Sequence, residues 1–260
     1  MITSTSNPRI KQIAALQTKA KTRRETGLFA AEGVKQVDEI PAESMVQIYL
    51  SESWAAQNGR RQRDWERKYG CDRVEIVADA VFRHISDTET PQGALAVARQ
   101  RRDVLEDLTA GGPVLVLESI RDPGNLGTMI RSAEGAGAAG ILADAGTVDR
   151  YNPKVVRATM GSLYRVPFVT VSDLGEAVGT LKRQGFLTCA AHLEGSVPFT
   201  APAYPQRTAF LIGNESRGLS AEITAAADAA VRIPMEGRVE SLNAAIAATL
   251  LLYEWHRQNC

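Results

Sequence analysis

Three short runs in the second half of the chain carry the side chains best suited to chemistry. The first is Asp122-Pro123-Gly124-Asn125-Leu126-Gly127, with Arg131 shortly after it. The second is Leu211-Ile212-Gly213-Asn214-Glu215-Ser216-Arg217-Gly218-Leu219-Ser220. The third is Ile233-Pro234-Met235, followed after a loop by Glu240-Ser241-Leu242-Asn243. Each follows an apolar run of strand length and leads toward a helix-forming segment. Amides, a carboxylate and glycines therefore gather where strands end, the place at which open parallel sheets bind ligands. Asn125 is suited to cap the helix after its turn. Arg131 falls on the second turn of that helix, where a guanidinium reaches an anion held at the sheet edge. Paired with Glu134 at i+3, it would instead be a plain surface arginine. Gly213 lets a ligand approach the backbone, and Gly218 closes the loop. Glu215, at its strand's carboxyl end, would orient a cationic or hydroxyl group. The bland alternative for this run is a glycine turn ahead of an N-cap at Ser220. Ser241 is a good N-cap, which puts Asn243 in the first helical turn, where a packing role is unusual.

The elements that must position these residues alternate regularly. Strands are expected at Val114–Leu117, Gly140–Ala143, Val166–Val171, Phe186–Ala191, Ala209–Ile212 and Ala230–Ile233. Helices are expected at Leu126–Ala136, Pro153–Met160, Leu174–Gln184 and Leu242–His256. Such alternation implies an α/β fold, a parallel sheet with helices on both faces. A smaller α/β unit precedes it. There Ile10, Ile13 and Leu16 mark a helix, Gly27–Gly33 a short strand leading into the helix Val34–Ile40, and Val46–Leu50, Val74–Val77 and Ala94–Ala98 further strands. The charged stretch ending in Gly111-Gly112-Pro113 reads as a linker. The expected division is therefore a domain over residues 1–100, a linker over 101–112 and a second domain over 113–260.

Gly135-Ala136-Gly137-Ala138-Ala139-Gly140 spells the dinucleotide fingerprint G-x-G-x-x-G, but the order of elements is reversed. That chemistry needs strand, glycine turn and helix N-terminus, so that backbone N–H groups face a pyrophosphate. Here the glycines close a helix and precede a strand, and no acidic partner stands about 20 residues on. They read as a helix C-cap and a tight αβ turn.

Composition narrows the class. The 260 residues are 44% hydrophobic, enough for a real core, with no apolar run long enough to span a bilayer. A soluble cytoplasmic protein is the expectation. Three scattered cysteines and three histidines offer no metal-ligand spacing and no disulfide framework, so no metal is expected. The formal net charge is zero, but Met1–Arg24 holds Arg9, Lys11, Lys19, Lys21, Arg23 and Arg24 with no acidic residue. A cationic arm of this kind would lie along phosphates; otherwise it is a solvated terminal helix. The stretch Arg60–Lys68 mixes in Asp64 and Glu66 and reads as a solvated helix face.

In order and spacing, the three motifs resemble the SpoU/TrmH family of S-adenosylmethionine-dependent RNA ribose 2'-O-methyltransferases, of the SPOUT superfamily. Phe29, Glu32-Gly33 and Pro91-Gln92-Gly93 likewise resemble the N-terminal substrate-binding domain of many SpoU enzymes. The resemblance implies a C-terminal trefoil knot, an S-adenosylmethionine cofactor and a site commonly completed across a homodimer built on the C-terminal domain. It implies catalytic roles for Asn125, Arg131, Glu215, Ser241 and Asn243. It implies a donor site at Ala191, Leu211, Gly213, Asn214, Ile233 and Leu242, with backbone groups near Ile233 and Leu242 holding the adenine. Where the family usually has a small residue, this chain has Ser216 or Arg217, and Gly-Asn-Glu is intact. An arginine is a poor base by its intrinsic pKa, so Arg131 is read as an electrostatic stabiliser in preference to a base. The RNA partner is expected to be ribosomal, with transfer RNA as the alternative. A non-catalytic RNA-binding protein and a base-nitrogen methylase are the competing readings.

Overall fold

The computed structural model describes residues 1–239 and 241–260; Glu240 of the third motif lies outside the described residues. The chain forms two compact units, one of Met1–Arg101 with Asp149–Tyr164, the other of Arg102–Val148 with Arg165–Cys260.

The first unit opens with α1 (Pro8–Thr18), whose cap Asn7 accepts the Arg9 N–H at 2.9 Å. Ile10, Ile13 and Leu16 recur at helical spacing and are fully buried. α2 (Ala20–Thr26) follows and stops at Gly27, whose φ of 64° suits a residue without Cβ. The basic run is thus two packed helices and no loose arm. The sheet contains β1 (Leu28–Glu32), β2 (Met45–Ser51), β3 (Val74–Val77) and β4 (Ala94–Arg99) in the order β1-β4-β2-β3. β4 runs antiparallel to both neighbours, while β2 and β3 are parallel. The helices α3 (Val34–Glu39), α4 (Glu52–Gln57), α5 (Gly59–Tyr69) and α6 (Asp79–Ile85) complete the unit's own sequence.

The second unit holds a seven-stranded sheet: β5 (Val114–Leu117), β6 (Gly140–Asp144), β7 (Phe168–Val171), β8 (Leu187–Ala191), β9 (Val197–Pro198), β10 (Thr208–Ile212) and β11 (Ala229–Arg232). The order is β7-β6-β5-β10-β8-β11-β9, and every pairing is parallel. Between strands run α7 (Pro123–Gly135), α9 (Leu174–Arg183) and α10 (Ala221–Ala226), and α11 (Ala244–Asn259) comes last; α8 (Pro153–Thr159) follows β6 in sequence but is part of the first unit. Val114, Val116, Ala209 and Leu211 pack with Leu174, Val178 and Leu181 of α9 and Ile223 of α10. α7 and α11 pack against each other, and against β6 and β10 respectively. The mixed α/β architecture with a helix-covered parallel sheet is therefore present. α7 ends at Gly135, Gly137 takes φ 72°, and β6 starts at Gly140, so the glycine run is a helix stop and turn.

One stretch departs from the linear division expected. Residues 149–164, with α8, belong to the first unit. Tyr151, Val156 and Leu163 are buried in the cluster that contains Phe29, and the Phe29 and Tyr151 rings lie 4.6 Å apart. Partners of this segment such as Phe29 and Gln36 lie more than a hundred residues away in sequence, so local pattern does not reveal them. The expected linker is also ordered: Leu108, in a 3-10 turn over Leu105–Thr109, is fully buried in the core of the second unit.

Candidate active site

Glu215 joins the three motifs. Its carboxylate accepts the backbone N–H groups of Arg121 and Asp122, each at 3.2 Å, and the side-chain amide of Asn125 at 3.0 Å. The Asn125 carbonyl in turn accepts the Asn243 amide at 2.9 Å. One continuous chain of hydrogen bonds thus runs from the second motif through the first to the third. Burial pushes the Glu215 carboxyl up, but hydrogen bonds from Asn125 and from the backbone of Glu215, Asp122 and Arg121 outweigh it. The net result is a pKa below the ordinary carboxylate value.

The local folding behind this is simple. α7 is capped by Asp122, whose side chain accepts the Asn125 N–H at 2.7 Å, with Pro123 in its first turn. Asn125 is therefore not the cap, and its side chain is left for Glu215 and Asn243. α11 is capped by Asn243, which accepts from Ala245 and Ile246 at 2.9 and 3.3 Å. Ser241 lies in the loop ahead of it, so the cap expected at Ser241 sits two residues later. After β10 the chain makes a closed loop: Asn214 and Gly218 exchange backbone hydrogen bonds at 3.0 and 2.9 Å. Gly218 has φ 68°, and a Cβ on Gly213 would lie 2.1 Å from the Gly218 carbonyl carbon, so only glycine fits position 213. The Asn214 side chain donates to the Ser119 carbonyl at 2.8 Å.

Two adjoining clefts open on this assembly. One, of about 660 Å³, is lined by Arg121, Asp122, Asn125, Glu215, Ser241 and Asn243 among others. The second, of about 470 Å³, is lined by Ala191, Gly213, Asn214, Ile233 and Leu242, with His192, Ile212 and Leu251. Glu215, Ser241, Leu242 and Ala244 border both. Four of the five expected catalytic residues and five of the six expected donor-site residues therefore come together. Leu211 does not: it is fully buried among core side chains, and strand alternation gives the cleft its neighbour Ile212 instead. Arg131 is exposed on α7 and lines neither cleft. The expected i+3 pair with Glu134 is not what Glu134 makes, since Arg165 engages it. The sequence reading missed Arg121, beside the first motif, and His192, beyond β8. Proximity to a strand end was the signal available for both.

Of the expected RNA-contacting set, Arg9, Lys11, Lys19, Lys21 and Arg24 are exposed. Arg23 is not: it is 3% exposed, its guanidinium 2.7 Å from Asp149 and 2.7 Å from the Leu16 carbonyl. It supports the first unit and has no free face for a phosphate.

A parallel sheet whose strand-end loops share one hydrogen-bonded network across two clefts defines a ligand-binding α/β enzyme class. The comparisons make this specific. Residues 112–253 match the SpoU rRNA Methylase family, and residues 7–96 match the MRM3-like substrate binding domain. The 23S rRNA (guanosine(2553)-2'-O)-methyltransferase RlmP of Bacillus subtilis is 32% identical, with 97% of each chain covered. Among solved structures, the AdoMet-bound rRNA methyltransferase from Sinorhizobium meliloti is 35% identical with a TM-score of 0.85, covering 100% of this chain and 98% of that one. The SpoU methyltransferase AviRb from Streptomyces viridochromogenes, in complex with AdoMet, is 30% identical with a TM-score of 0.85, covering 97% and 98%. The chain belongs to the SpoU rRNA methylase family.

Proposed function

We propose that this protein transfers a methyl group from S-adenosylmethionine to a ribose 2'-hydroxyl of ribosomal RNA. The observation that carries the reading is the Glu215 carboxylate, which ties the three motifs together on the border of two clefts. RNA methylase relatives of nearly equal length, two of them with AdoMet bound, support it.

The larger number of apolar walls lies in the cleft around Gly213. Ile212, Val231, Ile233, Leu242 and Leu251 there suit a flat adenine. S-adenosylmethionine, when bound, supplies an electrophilic methyl group carried on a sulfonium sulfur. Asn125, Ser241 and Asn243 present hydrogen-bonding groups to the other cleft, where the acceptor ribose would lie. Glu215 is held ionised by its donors, so it acts as an anchor for Asn125 and the Arg121–Asp122 backbone and is unsuited to take a proton near neutral pH. Arg131 is assigned to stabilise the acceptor oxygen as its charge develops.

Arg131 reaches such a position through a homodimer. Ile246, Leu250 and Tyr253 form one exposed apolar stripe on α11, at 51%, 37% and 46% exposure. α11 packs on α7, the Ser132 and Thr249 hydroxyls being 2.7 Å apart, so a second copy seated on the stripe would adjoin the helix that carries Arg131. The first unit is assigned to RNA binding through Arg9, Lys11, Lys19, Lys21 and Arg24. The trefoil knot of the family is part of the same proposal. Its support is the strand order, in which β10 inserts between β5 and β8 and β8 separates it from β11.

The test is single-turnover transfer of labelled methyl from S-adenosylmethionine to ribosomal RNA, with 2'-O-methyl mapping of the product. One discrete modified ribose is the expected result. Label on a base nitrogen, or none on any RNA at saturating donor, refutes the reading.

A further inference from the structure

We propose that Asp144, which belongs to none of the three motifs, is a positioning residue for this reaction, acting through Ser119. The inference rests on the methyl-transfer reading above. Ser119 lies between β5 and α7 and has φ 55°, a left-handed conformation that serine adopts only when its surroundings impose it. What imposes it is Asp144, at the carboxyl end of β6. One carboxylate oxygen accepts the Ser119 N–H at 2.8 Å and the other accepts the Ser119 hydroxyl at 2.8 Å. The Thr147 hydroxyl donates to Asp144 at 2.7 Å and accepts the Ile120 N–H at 3.2 Å. Gly146 closes the clamp: a Cβ there would lie 2.7 Å from the Ser119 hydroxyl oxygen and 2.9 Å from the Asp144 carboxylate.

The held conformation aims the Ser119 carbonyl at the second motif, where it accepts the Asn214 amide at 2.8 Å. It also sets the course of the chain into Arg121 and Asp122, whose N–H groups seat on Glu215. Asp144 thereby fixes the first motif against the second without lining either cleft. Release of Ser119 would let the Arg121–Asn125 turn drift relative to Glu215. Misplacement of about 1 Å at a reacting centre costs roughly 100-fold in rate.

The experiment compares wild type, Asp144→Ala, Asp144→Asn and the milder Ser119→Ala. Three quantities are measured: single-turnover methylation at saturating RNA and donor, donor Kd, and hydrogen exchange at the Arg121 and Asp122 amides. Asp144→Ala should lower the rate roughly 10–100-fold, keep donor Kd within about threefold, and speed exchange at both amides. Asp144→Asn should recover most of the rate, since its carbonyl still accepts the Ser119 N–H while its amide donates to the turned hydroxyl. Ser119→Ala, which removes one bond of the clamp, should fall between. An Asp144→Ala protein with unchanged rate, or with unchanged exchange at Arg121 and Asp122, overturns the proposal. So does a parallel fall of rate, donor affinity and Tm that Asn does not rescue, because that marks a general structural role. Should Asp144→Ala fail to fold, Ser119→Ala carries the same comparison. Should the wild type methylate no RNA, the functional reading fails, and the exchange data still decide whether Asp144 holds the turn.

Discussion

Gly213→Ala tests the proposed donor cleft at the loop closed by Asn214 and Gly218. A Cβ at this position would lie 2.1 Å from both the Gly218 carbonyl carbon and the Leu219 nitrogen, and 2.4 Å from the Gly218 oxygen. Non-bonded carbon contacts settle near about 3.5–4.0 Å, so the two backbone segments must part by roughly 1.5 Å. Both neighbours are main chain, so no flexible side chain gives way. The separation breaks the two Asn214–Gly218 hydrogen bonds, at about 0.5–1.5 kcal/mol each. Overpacking adds about 1–3 kcal/mol, for a total near 2–6 kcal/mol. Thermal denaturation should show Tm lower by roughly 5–20 °C. Because Asn214 and Glu215 move with the loop, calorimetric titration should show donor affinity down about 100-fold, close to 2.7 kcal/mol. Gly237→Ala is the control, since nothing lies within 4 Å of a Cβ there. A Gly213→Ala protein with wild-type Tm and donor Kd would refute the packing argument and the placement of the donor together.

Other outcomes follow from single groups. Arg131→Ala should lower single-turnover methylation about 10²–10³-fold with donor Kd unchanged; near-normal rate would return Arg131 to a plain surface role. Arg23→Ala should cost about 1.5–3 kcal/mol by denaturant unfolding, as it removes a charge-assisted hydrogen bond to the partly exposed Asp149. Truncating Lys19 and Lys21 should leave stability alone and flatten the salt dependence of RNA binding. Leu250→Asp should convert a dimer to a monomer by light scattering at micromolar concentration, and a wild-type monomer would remove the stripe's proposed role. Glu215 has a folded pKa below its ordinary value, so its contribution is present above the ordinary carboxylate pKa and is lost as pH falls through the folded one. Donor binding should hold from neutral pH down to the ordinary carboxylate pKa and weaken as pH falls below it, and Glu215→Gln should flatten that acid limb.

Much of the site was legible because strand ends announce themselves: an apolar run stops, and glycines and amides begin. Which amide does what was not legible. Asp122 and Asn125, like Ser241 and Asn243, are both acceptable caps, and a shift of two or three residues decides which side chain caps and which is left to face the cleft. Leu211 and Ile212 are alike in composition, and only the parity of β10 sends one to the core and the other to the cleft. Arg23 looked like its basic neighbours because its partner Asp149 is 126 residues away. Asp144 carried no signal at all, since its work depends on the backbone angle of a serine on another loop. α1 was readable from its period and six of the seven parallel strands from their apolar runs, while β9 (Val197–Pro198) carried too short a run to be expected and residues 149–164 were misplaced because partners such as Phe29 are distant in sequence.

The polypeptide passes between the two units three times, at residues 101–102, 148–149 and 164–165. Neither unit is therefore a detachable cassette. A fragment cut after residue 101 would keep Phe29 and lose Tyr151, Val156 and Leu163, leaving a solvent-filled gash in its own core. The complementary fragment would carry those three as a greasy excursion with nothing to cover it. Gene fusions between relatives face the same constraint: a chimaera that exchanges substrate-recognition modules must transplant residues 1–101 and 149–164 together. A single crossover near the middle of the chain would produce a hybrid whose inserted segment meets the wrong core, and such recombinants should be rare among viable descendants.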